Sequence, residues 1–178
     1  MKRRQKVCLD LIKEGDVCVE VGVWKGEFSE KILEKNPKML HLIDPWVSQK
    51  VIQRCYSISQ NKMEDIFNEV DRVFGNLPNV QIHRFRSNLV AFDEGELDWV
   101  YIDADHSYKA VLADLEHYYP FIKKGGYLCG DDYGLWADRP TSGFGSDGGG
   151  GPKPAVDEFV EKSDLKVDIY GDQFIIKV

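Results

Sequence analysis

DWVYIDADHSYKAVLADLEHYYPFIKKGGYLCGDDY, residues 98–133, is the stretch whose reading decides the fold. Two apolar runs, LDWVYI and YLCG, each end in a pair of carboxylates, Asp103/Asp105 and Asp131/Asp132. Between them lies an amphipathic segment of crossover length, with Tyr108, Val111, Leu112, Leu115, Tyr118 and Tyr119 on one side. Strand, helix, strand is the unit of a parallel sheet, and such sheets gather ligands at the carboxyl ends of their strands. This one unit therefore sets four acids and His106 on the rim where chemistry occurs. Carboxylates at that density suit a divalent cation, a general base, or both; solvated loop acids are the plainer alternative.

Working outward, the alternation continues in both directions. DVCVEVG (Asp16–Gly22) is short, apolar and valine-rich, as a buried strand is. The segment GEFSEKILEKN places Phe28, Ile32 and Leu33 at helical spacing, and Pro37 ends it. MLHLID (Met39–Asp44) is the next strand. Residues from about Ser48 to Phe74 read as one or two helices, with Val51, Ile58, Met63, Ile66, Phe67, Val70, Val73 and Phe74 on the buried face. VQIHRF alternates as a strand, and Lys123–Gly126 reads as a turn into YLCGD. TSGFGSDGGGGP (Thr141–Pro152) is the low-complexity stretch, expected to be mobile, as a linker or as a substrate loop beside the Asp131/Asp132 rim. AVDEFVEKS then reads as a helix, and LKVDIY with DQFIIKV as a closing hairpin turning at Gly171-Asp172. Five strand–helix repeats and a hairpin predict one α/β domain over residues 1–178, a Rossmann-like, doubly wound and mostly parallel sheet.

Composition narrows the function classes. The 178 residues carry a net charge of −7, which disfavours a protein built to grip nucleic-acid backbones. The basic start MKRRQK is followed by VCLDLIKEGD instead of a long apolar run, so neither a signal peptide nor a membrane span is read. Cys8, Cys18, Cys55 and Cys129 are widely spaced, without a CxxC pair. Cys18 and Cys129 fall in apolar runs and are expected as buried packing residues of a reduced, cytoplasmic protein.

The junction VEVGVWKGEFS holds Gly22 and Gly26, which permit a tight turn and close approach of a ligand. Trp24 and Lys25 interrupt what GxGxxG would require, so a dinucleotide fingerprint is absent. Asp44 ends the second strand where an acid can bond two ribose hydroxyls. Glu20, an acid inside an apolar strand, is hard to justify as packing and is expected to face the same cleft.

With these residues in place, the chain resembles the class I S-adenosylmethionine-dependent methyltransferases. It is most similar to the branch with an acid-x-acid-His segment, an aspartate-bearing helix, a Gly-Gly turn and a terminal Asp-Asp, which includes macrocin-type sugar O-methyltransferases. The resemblance covers nearly all of Asp16–Val178 and implies seven strands with the last antiparallel. It implies that Glu20, Gly22, Gly26, Asp44, Ser87 and Asp103 bind the cofactor, with Ser87 near adenine. It further implies a divalent cation such as Mg²⁺ on Asp103, Asp131 and Asp132, and Asp105 as general base, with His106 the other candidate for the proton. Metal-dependent relatives acting on catechols carry Asp-Asn where this chain has Asp131-Asp132.

The chemistry would want such groups. Methyl transfer from a sulfonium is an in-line displacement, so positioning supplies much of the rate. An alcohol is a poor nucleophile until it loses its proton. The expected activity is metal-assisted O-methylation of a small polyhydroxylated acceptor, sugar or similar. The acceptor pocket is expected to be open, or built from residues 45–59 and 133–152, or completed by another subunit of a homo-oligomer. Tyr133 and Trp136 could stack on a substrate ring, and Trp46 could border the adenosine. Asp114 is read as structural, and His41, His83 and His117 are given no role. The competing classes are a non-catalytic nucleoside-binding protein on the same fold and an NAD(P)-dependent oxidoreductase, which the imperfect glycine motif disfavours.

Overall fold

The computed structural model describes residues 5–48, 58–134 and 151–178. After a short helix, α1 (Lys6–Leu9), come β1 (Val17–Val21), α2 (Glu27–Leu33), β2 (Met39–Ile43), α3 (Gln60–Phe74) and β3 (Val80–His83). Then follow β4 (Leu97–Ile102), α4 (Tyr108–Tyr118), β5 (Ile122–Gly130), α5 (Pro152–Ser163), β6 (Val167–Tyr170) and β7 (Gln173–Lys177). One seven-stranded sheet runs in the order β3-β2-β1-β4-β5-β7-β6. The first five strands are parallel, and β7 is antiparallel to both β5 and β6, so the last strand alone is reversed, as the resemblance implied.

Period-two alternation sends each central strand's side chains to two cores. Val19, Val21, Val100, Ile102, Leu128, Phe174 and Ile176 face α4 and α5, where they meet Val111, Leu115, Tyr118, Ala155, Val156 and Phe159. Cys18, Leu40, Leu42, Trp99, Tyr101, Cys129 and Ile175 face the other way, against Cys8 and Leu9 of α1, Ile32 of α2, and Val70 and Phe74 of α3. Both faces being covered explains why β1 and β4 read as near-continuous apolar runs. Cys18 and Cys129 are fully buried, as expected, and so is Cys8. No helix among the described residues is long and apolar enough to cross a membrane.

Several expected boundaries move. Lys123–Gly126 belongs to β5, whose register against β4 slips between Leu97 and Trp99, so what reads as a turn is an irregularity within a longer strand. Of the expected apolar face of α3, Val70 and Phe74 are buried, but Val73 is 38% exposed because it lies off the stripe they define. Pro152 opens α5, where its missing N–H costs no hydrogen bond, so the glycine-rich segment stops at Gly151. Residues 135–150, which include Trp136 and nearly all of that segment, lie outside the described residues, as do Val51 and Cys55.

Candidate active site

Strand register builds the site. Val21 pairs with Ile43 on one side and Ile102 on the other, and Ile102 pairs with Gly130. The next residue of each strand extends the ladder by one bond: Gly22 N donates to Ile43 O (2.9 Å), Asp103 N to Val21 O (2.8 Å) and Asp131 N to Ile102 O (3.2 Å). Asp44 N likewise donates to His83 O (3.2 Å). Gly22, Asp44, Asp103 and Asp131 thus share one rim. Between β1 and β4 the chain order reverses direction across the sheet, and such a switch point opens a crevice for ligands.

Gly22 has φ +93° and passes so close to β4 that an added Cβ would stand 2.6 Å from the Asp103 carbonyl carbon and 2.8 Å from Ala104 Cα. Gly26, at φ +77°, caps α2 against the Phe74 ring. Both glycines are required by the fold, and together they leave the loop backbone bare toward the crevice. Trp24, between them, is 41% exposed.

Asp44 is held by its neighbours' backbones: Trp24 N donates to Oδ2 (3.0 Å) and Trp46 N to Oδ1 (2.7 Å). Burial raises its carboxyl above the ordinary value, and these bonds, with one from Val23, oppose that. Trp46 is wholly buried, packs on Phe67 and donates its indole N–H to Trp24 O (2.8 Å). It is a core anchor for the Asp44 turn, not the adenosine border considered from sequence. Glu20 is buried beneath the glycine loop and accepts a bond from Ser29 Oγ of α2 (2.5 Å). Burial pushes its carboxyl up to about 8, the Ser29 bond opposes this, and Asp103 and Asp44 add to it.

Ser87 donates from Oγ to Asp114 of α4 (2.5 Å), and its carbonyl accepts from Tyr118 OH (2.9 Å). Asp114 is therefore structural, as read: burial raises it to about 6, partly offset by Ser87 and His117, and it ties the loop after β3 to α4. Tyr133, considered for ring stacking, donates its hydroxyl to Asp157 of α5 (2.6 Å). His41 and His83 meet each other at 3.0 Å and pack on Phe92. Burial, then His83, lowers His41 to about 4.

The acidic cluster has an arrangement that the sequence does not announce. His106 lies between two carboxylates, Nε2 3.1 Å from Asp103 Oδ1 and Nδ1 3.2 Å from Asp132 Oδ2. Burial opposes its charge, but the two hydrogen bonds and the two negative charges prevail and hold it up at about 10. Asp131 is buried and accepts from the Gln173 amide and from Asp132 N (2.8 Å). Gln173, fully buried, also accepts from Tyr101 OH (2.7 Å). Asp105 is exposed, its Oδ1 accepting from Ser107 N (2.9 Å) where α4 begins.

The divalent cation expected on Asp103, Asp131 and Asp132 would meet three carboxylates that each have one oxygen engaged, Oδ1 of Asp103 and Oδ2 of Asp132 by His106 and Oδ1 of Asp131 by Gln173. Among the described residues no trio of His, Cys, Asp or Glu is arranged to hold a metal ion. Gln173 was missed from sequence, although an amide opening an otherwise apolar closing strand was a signal that something polar lay opposite.

A sheet of this order with a bare glycine loop, an acid after β2 and an acid rim at the switch point defines a Rossmann-like methyltransferase fold. The chain belongs to the methyltransferase domain family, whose pattern matches residues 19–133, more than half of the chain. It is similar in structure to an S-adenosylmethionine-dependent methyltransferase from Mesorhizobium loti, at 9% identity and a TM-score of 0.65, covering 98% of this chain and 97% of that one. It is also similar to the O-methyltransferase NovP, at 18% identity and a TM-score of 0.60, covering 97% and 76% respectively. A 63-residue segment, 35% of this chain, is 38% identical to ribosomal RNA small subunit methyltransferase A of Persephonella marina. The chain spans only about a fifth of the length of the curated relatives it matches, 17% and 21%. Family and fold together support S-adenosylmethionine as the cofactor.

Proposed function

We propose that this chain transfers the methyl group of S-adenosylmethionine to a hydroxyl of a small polyhydroxylated acceptor, a sugar or similar compound. The observation that carries the reading is the rim itself, where register aligns Gly22, Asp44 and Asp103 at the switch point with the exposed Asp105 beside them. Asp44, already oriented by the backbone N–H groups of its neighbours, Trp24 and Trp46 among them, keeps lone pairs for the ribose hydroxyls. The bare backbone at Gly22 admits the methionine part, and an acid-lined crevice favours a cofactor that carries a sulfonium and an ammonium. Ser87, pinned by Asp114 and Tyr118, sets the loop on the adenine side.

In the reaction the acceptor oxygen attacks the methyl carbon in line with the departing sulfur. A C–O bond forms, the C–S bond breaks, and the hydroxyl proton passes to a base. Asp105 takes that role, because both nitrogens of His106 are already bound to carboxylates. The net charge of −7 favours a small acceptor over RNA. The buried thiols of Cys8, Cys18 and Cys129 suit a reducing, cytoplasmic setting.

The test is transfer of isotope-labelled methyl from S-adenosylmethionine to a panel of sugars and other polyols. Turnover on an oxygen, lost in Asp105→Asn with cofactor binding retained, supports the reading. Cofactor binding with no transfer to any acceptor would leave a nucleoside-binding protein, and binding of NADH in its place would revive the oxidoreductase.

A further inference from the structure

The strand β6 ends the sheet, and among the described residues no strand pairs with its outer side. Its ladder to β7 closes at Tyr170 and Gln173, across the turn Gly171-Asp172. Residues that flank so short a turn exchange their N–H and C=O bonds with each other, and along an antiparallel ladder such pairs alternate with pairs that do not. Tyr170 and Asp168 therefore spend their main-chain groups on Gln173 and Ile175, while Val167 and Ile169 direct theirs outward, away from β7. Side chains on this edge are uncovered as well, Ile169 being 39% and Tyr170 52% exposed. Leu165 and Val167, in the same alternating row as Ile169, pack on the core beneath α4 and α5, so that row carries the core's apolar face to the edge. The other row holds Lys166 and Asp168, both exposed, and neither has an ion-pair partner among the described residues.

A bare edge strand is a template for another strand, and a lysine on it ordinarily guards against that. Here the lysine stands two residues from an aspartate, a spacing that complements itself. A twofold axis lays two copies of β6 antiparallel. Centring them on Lys166 or on Asp168 sets that charge against its own mate, which is destabilising. Centring on Ile169 carries Lys166 past the end of the partner's strand. Centring on Val167 sets each Lys166 opposite the partner's Asp168, in positions that exchange no main-chain bond and where side chains come closest. It also sets Ile169 opposite the partner's Leu165 and lets Val167 exchange both outward bonds with its mate. We propose that this chain is a homodimer joined edge to edge through β6, paired antiparallel about Val167 so that one sheet runs through both copies. Because β5 and β7 stand between β6 and β4, the crevice at the β1/β4 switch point stays clear of the seam. The inference goes beyond the methyltransferase reading and does not depend on it.

The experiment is analytical ultracentrifugation of the purified full chain over a concentration series, without cofactor. Wild type is expected to form a species of twice the 20.4 kDa of one chain. Lys166→Asp and Asp168→Lys are each expected to weaken it at least about tenfold, because each sets like charges at both symmetry-related pairs. The double variant carrying both substitutions restores opposite charges and is expected to recover the dimer. Ile169→Pro removes an outward donor that the ladder to β7 does not use, and is expected to leave a folded monomer. Circular dichroism establishes that each variant is folded. A wild-type chain that stays monomeric at every concentration would overturn the proposal, and that arm needs no variant. A dimer that both single charge variants leave intact would overturn it too, as would a folded double variant that stays monomeric.

Discussion

Alanine at Gly22 tests the geometry at the heart of the site, the close passage of the β1 end over β4. An added Cβ would lie 2.6 Å from the Asp103 carbonyl carbon and 2.8 Å from Ala104 Cα, both backbone atoms that no rotamer change can move aside. Carbon atoms prefer separations of about 3.5 Å or more, so the strand ends must part by roughly 0.7–0.9 Å. Overpacking of this kind costs about 1–3 kcal/mol. The positive φ of +93° adds a backbone penalty of roughly 1–2 kcal/mol for any L-residue. Gly15 supplies the control, since at φ +87° it has nothing within 4 Å of the same added atom. Gly22→Ala should therefore lose about 2–5 kcal/mol and Gly15→Ala only about 1–2 kcal/mol. For a chain of this size the difference corresponds to a thermal midpoint lower by about 2–4 °C per kcal/mol. Urea unfolding followed by tryptophan fluorescence measures both, and S-adenosylmethionine affinity should fall with Gly22→Ala but not with Gly15→Ala. Equal losses of stability in the two variants would refute the close approach.

Glu20→Gln should reveal the buried acid through pH. Because burial holds the Glu20 carboxyl up at about 8 against 4.5 for a free one, its stabilising contribution is complete below pH 4.5 and is lost as pH rises through 8. Removing the titration should make the variant gain on wild type across that window, by up to about 1.4 kcal/mol per pH unit, and not beyond it; a difference that stays flat from pH 4.5 to 8 would contradict the assignment. Asp105→Asn should lower kcat by about 10²–10⁴-fold with cofactor affinity unchanged, as loss of a general base does. Equal weakening of cofactor binding and turnover would instead make Asp105 a binding residue.

The order of elements was legible because valine-rich strands and 3.6-period helices alternate without ambiguity, and because Asp44, Asp103 and Asp131 each fall just after a strand. Register then does the rest, bringing residues far apart in sequence to one edge. What sequence could not show is which way a strand-end carboxylate turns, since that depends on partners elsewhere in the chain. Asp131 turns toward Gln173, 42 residues on, and Asp132 toward His106, which α4 delivers from the neighbouring loop. The motif of acids was readable, but the way His106 lies between Asp103 and Asp132 was not. Glu20 was rightly singled out as an anomaly in an apolar strand, yet its partner is Ser29 under the loop. Trp46 read equally well as a ligand border or an anchor, and only its burial against Phe67 decides.

The most direct test of the central claim is calorimetric titration of the chain with S-adenosylmethionine, with and without EDTA, beside Asp44→Ala. The account predicts one site with Kd on the order of 10 µM, indifferent to EDTA and weakened at least about tenfold in the variant, as loss of charge-assisted bonds to ribose requires. Absence of binding under both conditions, or binding that Asp44→Ala leaves unchanged, would contradict it.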